Sequence, residues 1–413
     1  GNGRTGLAVS VDLSGSSVIK GDRIAFGRSW GTVNAVMSEN AQILGNGIAL
    51  ADYYGATTKL TMTGNAKLET ATWIAVGNSW EGNGGSGEAW MSGNASMIMD
   101  DGDPLTVTDR LEMAYGGIGT LHIGNGTATD TVMVHAAGAV LLGWGTVHED
   151  TRATINLNAG GTLETARIIT AHPDDNPDTL DVDESAPGAL SSVINFNGGL
   201  LRALADDTPA GIDTPVIPFI SNDEWLHPSE YVYYGGSQDF RLMVQAGGAR
   251  IDTNGFSVSS TEAFLEDPTS TGGGFTKLGA GTFTMAGGPN TYTGDTVILA
   301  GTLSTTDDET LANGADVWIA ADAMLDLSFL GTDTIGSLYL DGVSQVTGTW
   351  GATGSGADNL NDVFFSGTGM VLVTALPSQV PGDANNDGKV NDADAKILAG
   401  NWGSTGVAWA DGD

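Results

Sequence analysis

The feature that most constrains this chain is a loose internal repeat. Met37-Ser38-Glu39-Asn40-Ala41-Gln42-Ile43 returns as Met62-Thr63-Gly64-Asn65-Ala66-Lys67-Leu68, and again as Met91-Ser92-Gly93-Asn94-Ala95-Ser96-Met97. The asparagines recur 25 and then 29 residues apart. Weaker copies are read in His135-Ala136-Ala137-Gly138-Ala139-Val140, Asn158-Ala159-Gly160-Gly161-Thr162-Leu163 and Asn195-Phe196-Asn197-Gly198-Gly199-Leu200. Each joins an apolar alternation to a Gly/Asn turn and a second short strand. A unit of about 20–30 residues built this way cannot bury its apolar face alone, whereas stacked units pair each strand with its equivalent one coil away.

The expectation is therefore an all-β chain, a parallel β-helix over residues 1–375. An antiparallel sandwich shares the short strands and glycine turns, but rarely repeats strand text at this spacing. Leu7, Val9, Val11 and Leu13 alternate with polar or small residues, the period-two pattern of a strand with one buried face. Helical periodicity is nearly absent before the last 30 or so residues. About a dozen rungs at ~4.8 Å each predict a rod of some 50–65 Å. Two stretches break the rhythm and are expected as loop insertions, 172–187 and 209–236. A linker at 376–381 leads to a different module at 382–413.

Composition narrows the function. The chain has 50 acidic and 15 basic residues, a formal charge of −35. Nucleic-acid phosphates and anionic membranes both require the opposite balance. Glycine is the outlier at 62 residues, with 12 prolines and no collagen period, which fits many tight turns. No cysteine is present, so there is no disulfide framework, thiolate metal site or cysteine nucleophile. No apolar run is long enough to span a bilayer. An opening at Gly1 without methionine or signal peptide reads as a processed or trimmed product.

The C-terminal module carries the most specific motif. Asp383-Ala384-Asn385-Asn386-Asp387-Gly388-Lys389-Val390-Asn391-Asp392-Ala393-Asp394 sets oxygen donors at loop positions 1, 3, 5, 7, 9 and 12, with glycine at 6. Asp383, Asn385 and Asp387 offer side-chain oxygens, Lys389 its carbonyl, Asn391 a direct or water-mediated contact and Asp394 the closing carboxylate. The expected cofactor is Ca2+, and a helix with Ile397, Leu398 and Trp402 is expected to follow. This segment resembles the first half of a dockerin module, which closes its loop with Asp. Trp409-Ala410-Asp411-Gly412-Asp413 resembles the start of the second half. Without a complete second loop, docking to a cohesin is not carried over.

A second resemblance covers 273–304. Gly273-Gly274-Phe275-Thr276-Lys277-Leu278-Gly279-Ala280-Gly281-Thr282-Phe283-Thr284-Met285, then Asn290-Thr291-Tyr292-Thr293-Gly294 and Leu299-Ala300-Gly301-Thr302-Leu303, resemble the autotransporter-associated β-strand repeat. The continuation from Asp333 to Gly342 is a looser likeness. Its strands are expected at Phe275–Lys277, Thr282–Met285, Thr296–Leu299 and Thr302–Ser304. The resemblance implies export, a secreted or cell-surface location, and a right-handed coil.

Other candidate chemistry has plainer readings. Asp100, Asp101 and Asp103 near Arg110 form the closest carboxylate cluster, read as a solvated turn before Pro104. Evenly spaced His122, His135 and His148 are expected on different faces. The acidic run from Asp174 to Glu184 reads as a solvated insertion, and Trp225, Tyr231, Tyr233 and Tyr234 as rings packed back on the coil. The reading is a structural, calcium-stabilised protein of a bacterial surface, matrix or filament, with copies of itself as partners through the β-helix ends. The alternatives are a β-helix that binds or degrades extracellular polysaccharide, and a dockerin-bearing adaptor.

Overall fold

The structure is a computed structural model. It describes residues 8–28, 30–53, 55–78, 85–101, 109–114, 117–143, 151–170, 191–207, 218–222, 225–226, 233–234, 239–375 and 392–401. The chain coils as a parallel β-helix with three walls. The first wall is a nine-stranded parallel sheet that begins with Ala8–Leu13, Thr32–Met37, Thr57–Met62 and Ser86–Met91 and ends at Phe264–Glu266. The second and third walls share a 23-stranded sheet. Two of its strands, Gln42–Tyr53 and Lys67–Val76, run round the corner between those walls. Their pairing shifts register between Gly45 and Gly47 at the bend.

Alternation decides what each strand buries. In Thr32–Met37 the exposed positions Thr32, Asn34 and Val36 alternate with buried Val33, Ala35 and Met37. Because equivalent residues sit directly above one another, Met37, Met62 and Met91 stack in the interior. The methionine that opens each repeat copy is thus a core residue, and the asparagine behind it turns the corner. That corner needs a left-handed residue. Gly64 (φ 64°) and Gly93 (φ 69°) supply it in two coils, and Glu39 adopts the same conformation at φ 59° in the coil before.

The segment read as a weak repeat at 135–140 is placed differently. His135 lies within the second-wall strand Val132–Ala136, and Ala139–Leu142 is the third-wall strand of the same coil. The residue that stands over Asn94 is Thr131, because this coil is longer: the two are 37 residues apart. The turn between Ile118–Ile123 and Val132–Ala136 lengthened, and the small residues at the next corner imitate a repeat. The copies at Asn158 and Asn197 do stand in register, with Asn197 Nδ2 donating to Asn158 Oδ1 at 3.2 Å.

Beyond Phe264–Glu266 the first wall ends and the coil shortens to two walls. Strands Phe275–Leu278, Thr296–Ile298 and Val317–Ile319 continue the second wall. Thr282–Met285, Gly301–Thr305 and Ala323–Leu327 continue the third. Leu299, expected in the strand, lies just past its end and is half exposed. Equivalent groups are now 21 or 22 residues apart. Buried polar side chains replace the lost strands. Asn290 Oδ1 accepts Phe264 N–H at 2.7 Å while its Nδ2 donates to Thr310 O at 2.9 Å, and Asp333 Oδ2 accepts Leu311 N–H at 2.9 Å. Phe196, Phe264, Phe275, Phe283 and Tyr292 fill the interior here, with edge-on packing of Phe264 against Phe275 at 5.0 Å.

The far end of the coil is antiparallel in part. Val343–Ser344 folds back on Leu338–Leu340, and Gly348–Gly351 runs antiparallel to Met370–Val373 in a small four-stranded sheet. In the expected insertion at 209–236, Trp225–Leu226 and Tyr233–Tyr234 form an antiparallel pair. The insertion at 172–187 and the linker at 376–381 lie outside the described residues. One helix, Asp392–Asn401, is described near the C-terminus and holds Ile397 and Leu398 as expected. Among the described residues, no helix is long and apolar enough to cross a membrane.

Candidate functional site

Of the six calcium-loop residues, Asp394 is described; Asp383, Asn385, Asp387, Lys389 and Asn391 lie outside the described residues. Asp394 stands in the first turn of the helix Asp392–Asn401 and is 2% exposed. A carboxylate at that depth needs partners.

The carboxylates near Arg110 converge, with a different third member. Ligand atoms of Asp100, Asp101 and Asp109 all lie within 4.8 Å of one another. Asp103 falls outside the described residues. Asp109 is fully buried, and its Oδ2 accepts Asp101 N–H at 2.8 Å. Asp100 Oδ2 also stands 3.8 Å from His135 Nε2. Sequence distance hid Asp109, which stands eight residues beyond its partner Asp101.

His122 and His135 occupy separate walls, as expected of these two; His148 is not among the described residues. His122 lies in the first-wall strand Ile118–Ile123 and His135 in the second. His135 begins a row of alternating charge, a relationship invisible in the linear sequence. Its Nδ1 is 3.0 Å from Glu164 Oε2; Arg202 Nη1 donates to Glu164 Oε1 at 2.8 Å, and Arg202 Nε to Asp252 Oδ2 at 2.9 Å. Register stacks these side chains at one-coil spacing, where opposite signs attract and like signs repel. The Glu164 hydrogen bond holds His135 above the usual histidine range, and Asp100 and Asp109 add to it.

His122 meets a different environment. Its ring stacks on Trp90 at 3.5 Å, and burial pushes it below the usual range. Asn195 Nδ2 donates to Asn156 Oδ1 at 2.8 Å, which turns Asn156 Nδ2 toward His122 Nδ1 at 3.2 Å. That network leaves the ring proton on Nε2 and favours a neutral imidazole.

An open groove of about 390 Å³ lies on the third wall, lined by Asp22, Arg23, Asn46, Gly47, Thr72, Trp73 and Arg110. Arg23, Gly47, Trp73 and Arg110 are equivalent positions of four successive coils. Gly47 is required there: a Cβ on it would stand 2.7 Å from the Trp73 ring. The Arg23 guanidinium lies 5.4 Å from the Trp73 ring centre. Buried carboxylates fix both arginines, Asp52 taking Arg23 Nη2 at 2.5 Å and Glu112 taking Arg110 Nε at 2.7 Å. The repeat spacing was the one available signal for this group, since it aligns the four positions once the coil lengths are known.

The resemblance at 273–304 has a structural centre in Lys277. This lysine is fully buried, and its Nζ lies 2.8 Å from Leu278 O, 2.7 Å from Gly279 O, 3.0 Å from Ala300 O and 3.0 Å from Thr253 Oγ1. One ammonium group therefore joins a corner to the coil before it and the coil after it. Burial pushes it down to about 8.

Residues 275–304 match the sequence profile of the Passenger-associated-transport-repeat. The match identifies a repeat within the chain and spans two coils of the β-helix. No curated protein and no solved structure matches the chain.

Proposed function

We propose that the chain is a secreted or surface-borne structural rod of a bacterial surface or matrix, non-catalytic, that associates with copies of itself through its ends. The location rests on the passenger-type repeat inside a continuous β-helix. The self-association rests on one observation, the placing of exposed apolar side chains. Among the described residues, Val9, Val18 and Ile19 are exposed on the first described rungs and Leu330, Val343, Val346, Leu360 and Val363 around the last, while Trp30, Val36, Trp90, Ile118 and Leu299 are exposed singly on the coils between. Apolar surface gathered in this way drives contact between molecules.

The ends differ in kind. The first described strand, Ala8–Leu13, pairs on one edge with Thr32–Met37, while the last rungs carry antiparallel segments. End contacts then rest on side-chain packing at the antiparallel end rather than on uninterrupted strand addition. Ca2+ at Asp383, Asn385, Asp387, Lys389, Asn391 and Asp394 is part of the proposal; the buried Asp394 supports it. Bound there, it neutralises carboxylates and orders the loop before the helix.

Negative-stain microscopy with calcium and then with excess chelator tests the reading. End-to-end chains of rods that shorten on chelation are expected, and a Val343→Lys, Val363→Lys double variant should leave single rods. Single rods in both conditions overturn self-association. Chains indifferent to chelator overturn the role of calcium. Cleavage of a polysaccharide by the purified protein overturns the non-catalytic assignment.

A further inference from the structure

We propose that the third-wall groove at Arg23, Trp73 and Arg110 binds an uncharged saccharide unit, the apolar face of the sugar on Trp73 and its hydroxyls on the surrounding polar groups. A volume of about 390 Å³ falls within the range of small-molecule sites, and the groove is open to solvent, so a unit of a longer glycan has access to it. Gly47 removes a side chain from the floor at the point where the indole lies down. Trp73 lines the groove and remains half-buried. An indole fixed in this way is a flat apolar seat that loses little freedom on binding.

The rim supplies what hydroxyl groups need. A sugar hydroxyl is both donor and acceptor, so its site must present both. Arg23 Nη2 is occupied by Asp52, which leaves Nε and Nη1 of this 40% exposed side chain as oriented donors. Asp22 offers acceptors, while Asn46 and Thr72 offer both functions. Arg110, held at Nε by Glu112, closes the other side of the ring.

Charge selects an uncharged ligand. The two arginines are matched by the buried carboxylates of Asp52 and Glu112, and Asp22 adds a further negative charge. An anionic sugar entering here gains no unpaired cation and faces a protein of formal charge −35. A cationic ligand meets two guanidinium groups at close range. A neutral ring pays neither cost. The groove lies on the third wall, on the side of the coil, so it is equally available on single rods and on chains of them.

Isothermal titration calorimetry of the full chain against cellohexaose, xylohexaose, laminarihexaose, mannohexaose and hexagalacturonate tests the proposal. At least one neutral hexasaccharide should bind. Trp73→Ala should weaken that binding by about tenfold or more, the effect of losing one stacking seat. Thr72→Trp fills the groove without removing any packed group and should abolish binding while the thermal unfolding transition stays in place, which separates a blocked site from a damaged fold. No binding by any neutral member overturns the proposal. So does binding confined to hexagalacturonate, or neutral binding that survives Thr72→Trp.

Discussion

Asn65 donates from Nδ2 to Asn40 Oδ1 at 2.9 Å and accepts Asn94 Nδ2 on its own Oδ1 at 3.0 Å. Thr131 Oγ1 ends the row on Asn94 Oδ1 at 2.6 Å. The repeat that marks the sequence is therefore a physical column, in which each asparagine pairs with the next. An amide suits such a column because it carries a donor and an acceptor, so identical residues one coil apart satisfy each other. Aspartate at the same positions would stack like charges.

Replacing the middle member should loosen both neighbours. Asn65→Ala removes two exposed hydrogen bonds and should cost about 1 kcal/mol. Asn65→Asp keeps only the acceptor, adds charge to an acidic chain, and should cost at least as much. Urea midpoints at unchanged slope measure both; an Asp variant as stable as the wild type would show that the column contributes nothing.

Glu39 occupies the corner position that Gly64 and Gly93 fill in the next coils, at φ 59°. A residue with a Cβ is strained there by roughly 1 kcal/mol. Glu39→Gly should therefore stabilise the rod by up to about 1 kcal/mol. Gly93→Ala should do the reverse and more, because its Cβ would lie 3.0 Å from Gly64 N. Thermal transitions of the two variants should move in opposite directions.

The two histidines should give opposite pH dependences. Glu164, Asp100 and Asp109 raise His135 in the folded chain, so its contribution is complete below the unfolded value of about 6.5. That contribution fades as pH rises through the elevated folded value. Burial lowers His122, with Glu88 and Lys59 the charged groups facing it, so the unfolded chain takes up the proton first. Its contribution is complete above about 6.5 and fades as pH falls through the depressed folded value. The loss of stability in His135→Gln should be greater at about pH 5.5 than at about pH 8, and that in His122→Gln the reverse. Parallel curves for both variants would contradict the assignment.

Lys277 should be the costliest single substitution among these. Lys277→Met keeps much of the apolar stem but strips a cation from four oxygens; Leu278 O keeps the Thr253 N–H, while Gly279 O and Ala300 O lose their short donor. A loss of roughly 3 kcal/mol is expected. Because the folded value of about 8 lies below the unfolded one, wild-type stability should rise between about pH 8 and about pH 10.5, and the variant should lack that rise. Hydrogen exchange should localise the damage to the coils that contain Thr253, Leu278 and Ala300.

The coil was legible because its cause is local. Met37, Met62 and Met91 announce a stacked core, and the glycines and asparagines behind them announce the corner. The misplaced copy at 135–140 shows where that reading ended. Coil length is set by how many residues the corners absorb, and the register shift that put Thr131 rather than His135 over Asn94 has no signature in the strand text.

Sequence alone determined the β-helix, the acidic surface and the repeat at 275–304, since period-two alternation, composition and motif spacing are properties of short windows. Only the tertiary structure decided which side chains meet across coils: Glu164 between His135 and Arg202, Asp109 with Asp100, Trp73 over Gly47 between Arg23 and Arg110. The reason is geometric. In a solenoid, neighbours in space are one coil apart in sequence, and each coil of this chain has its own length.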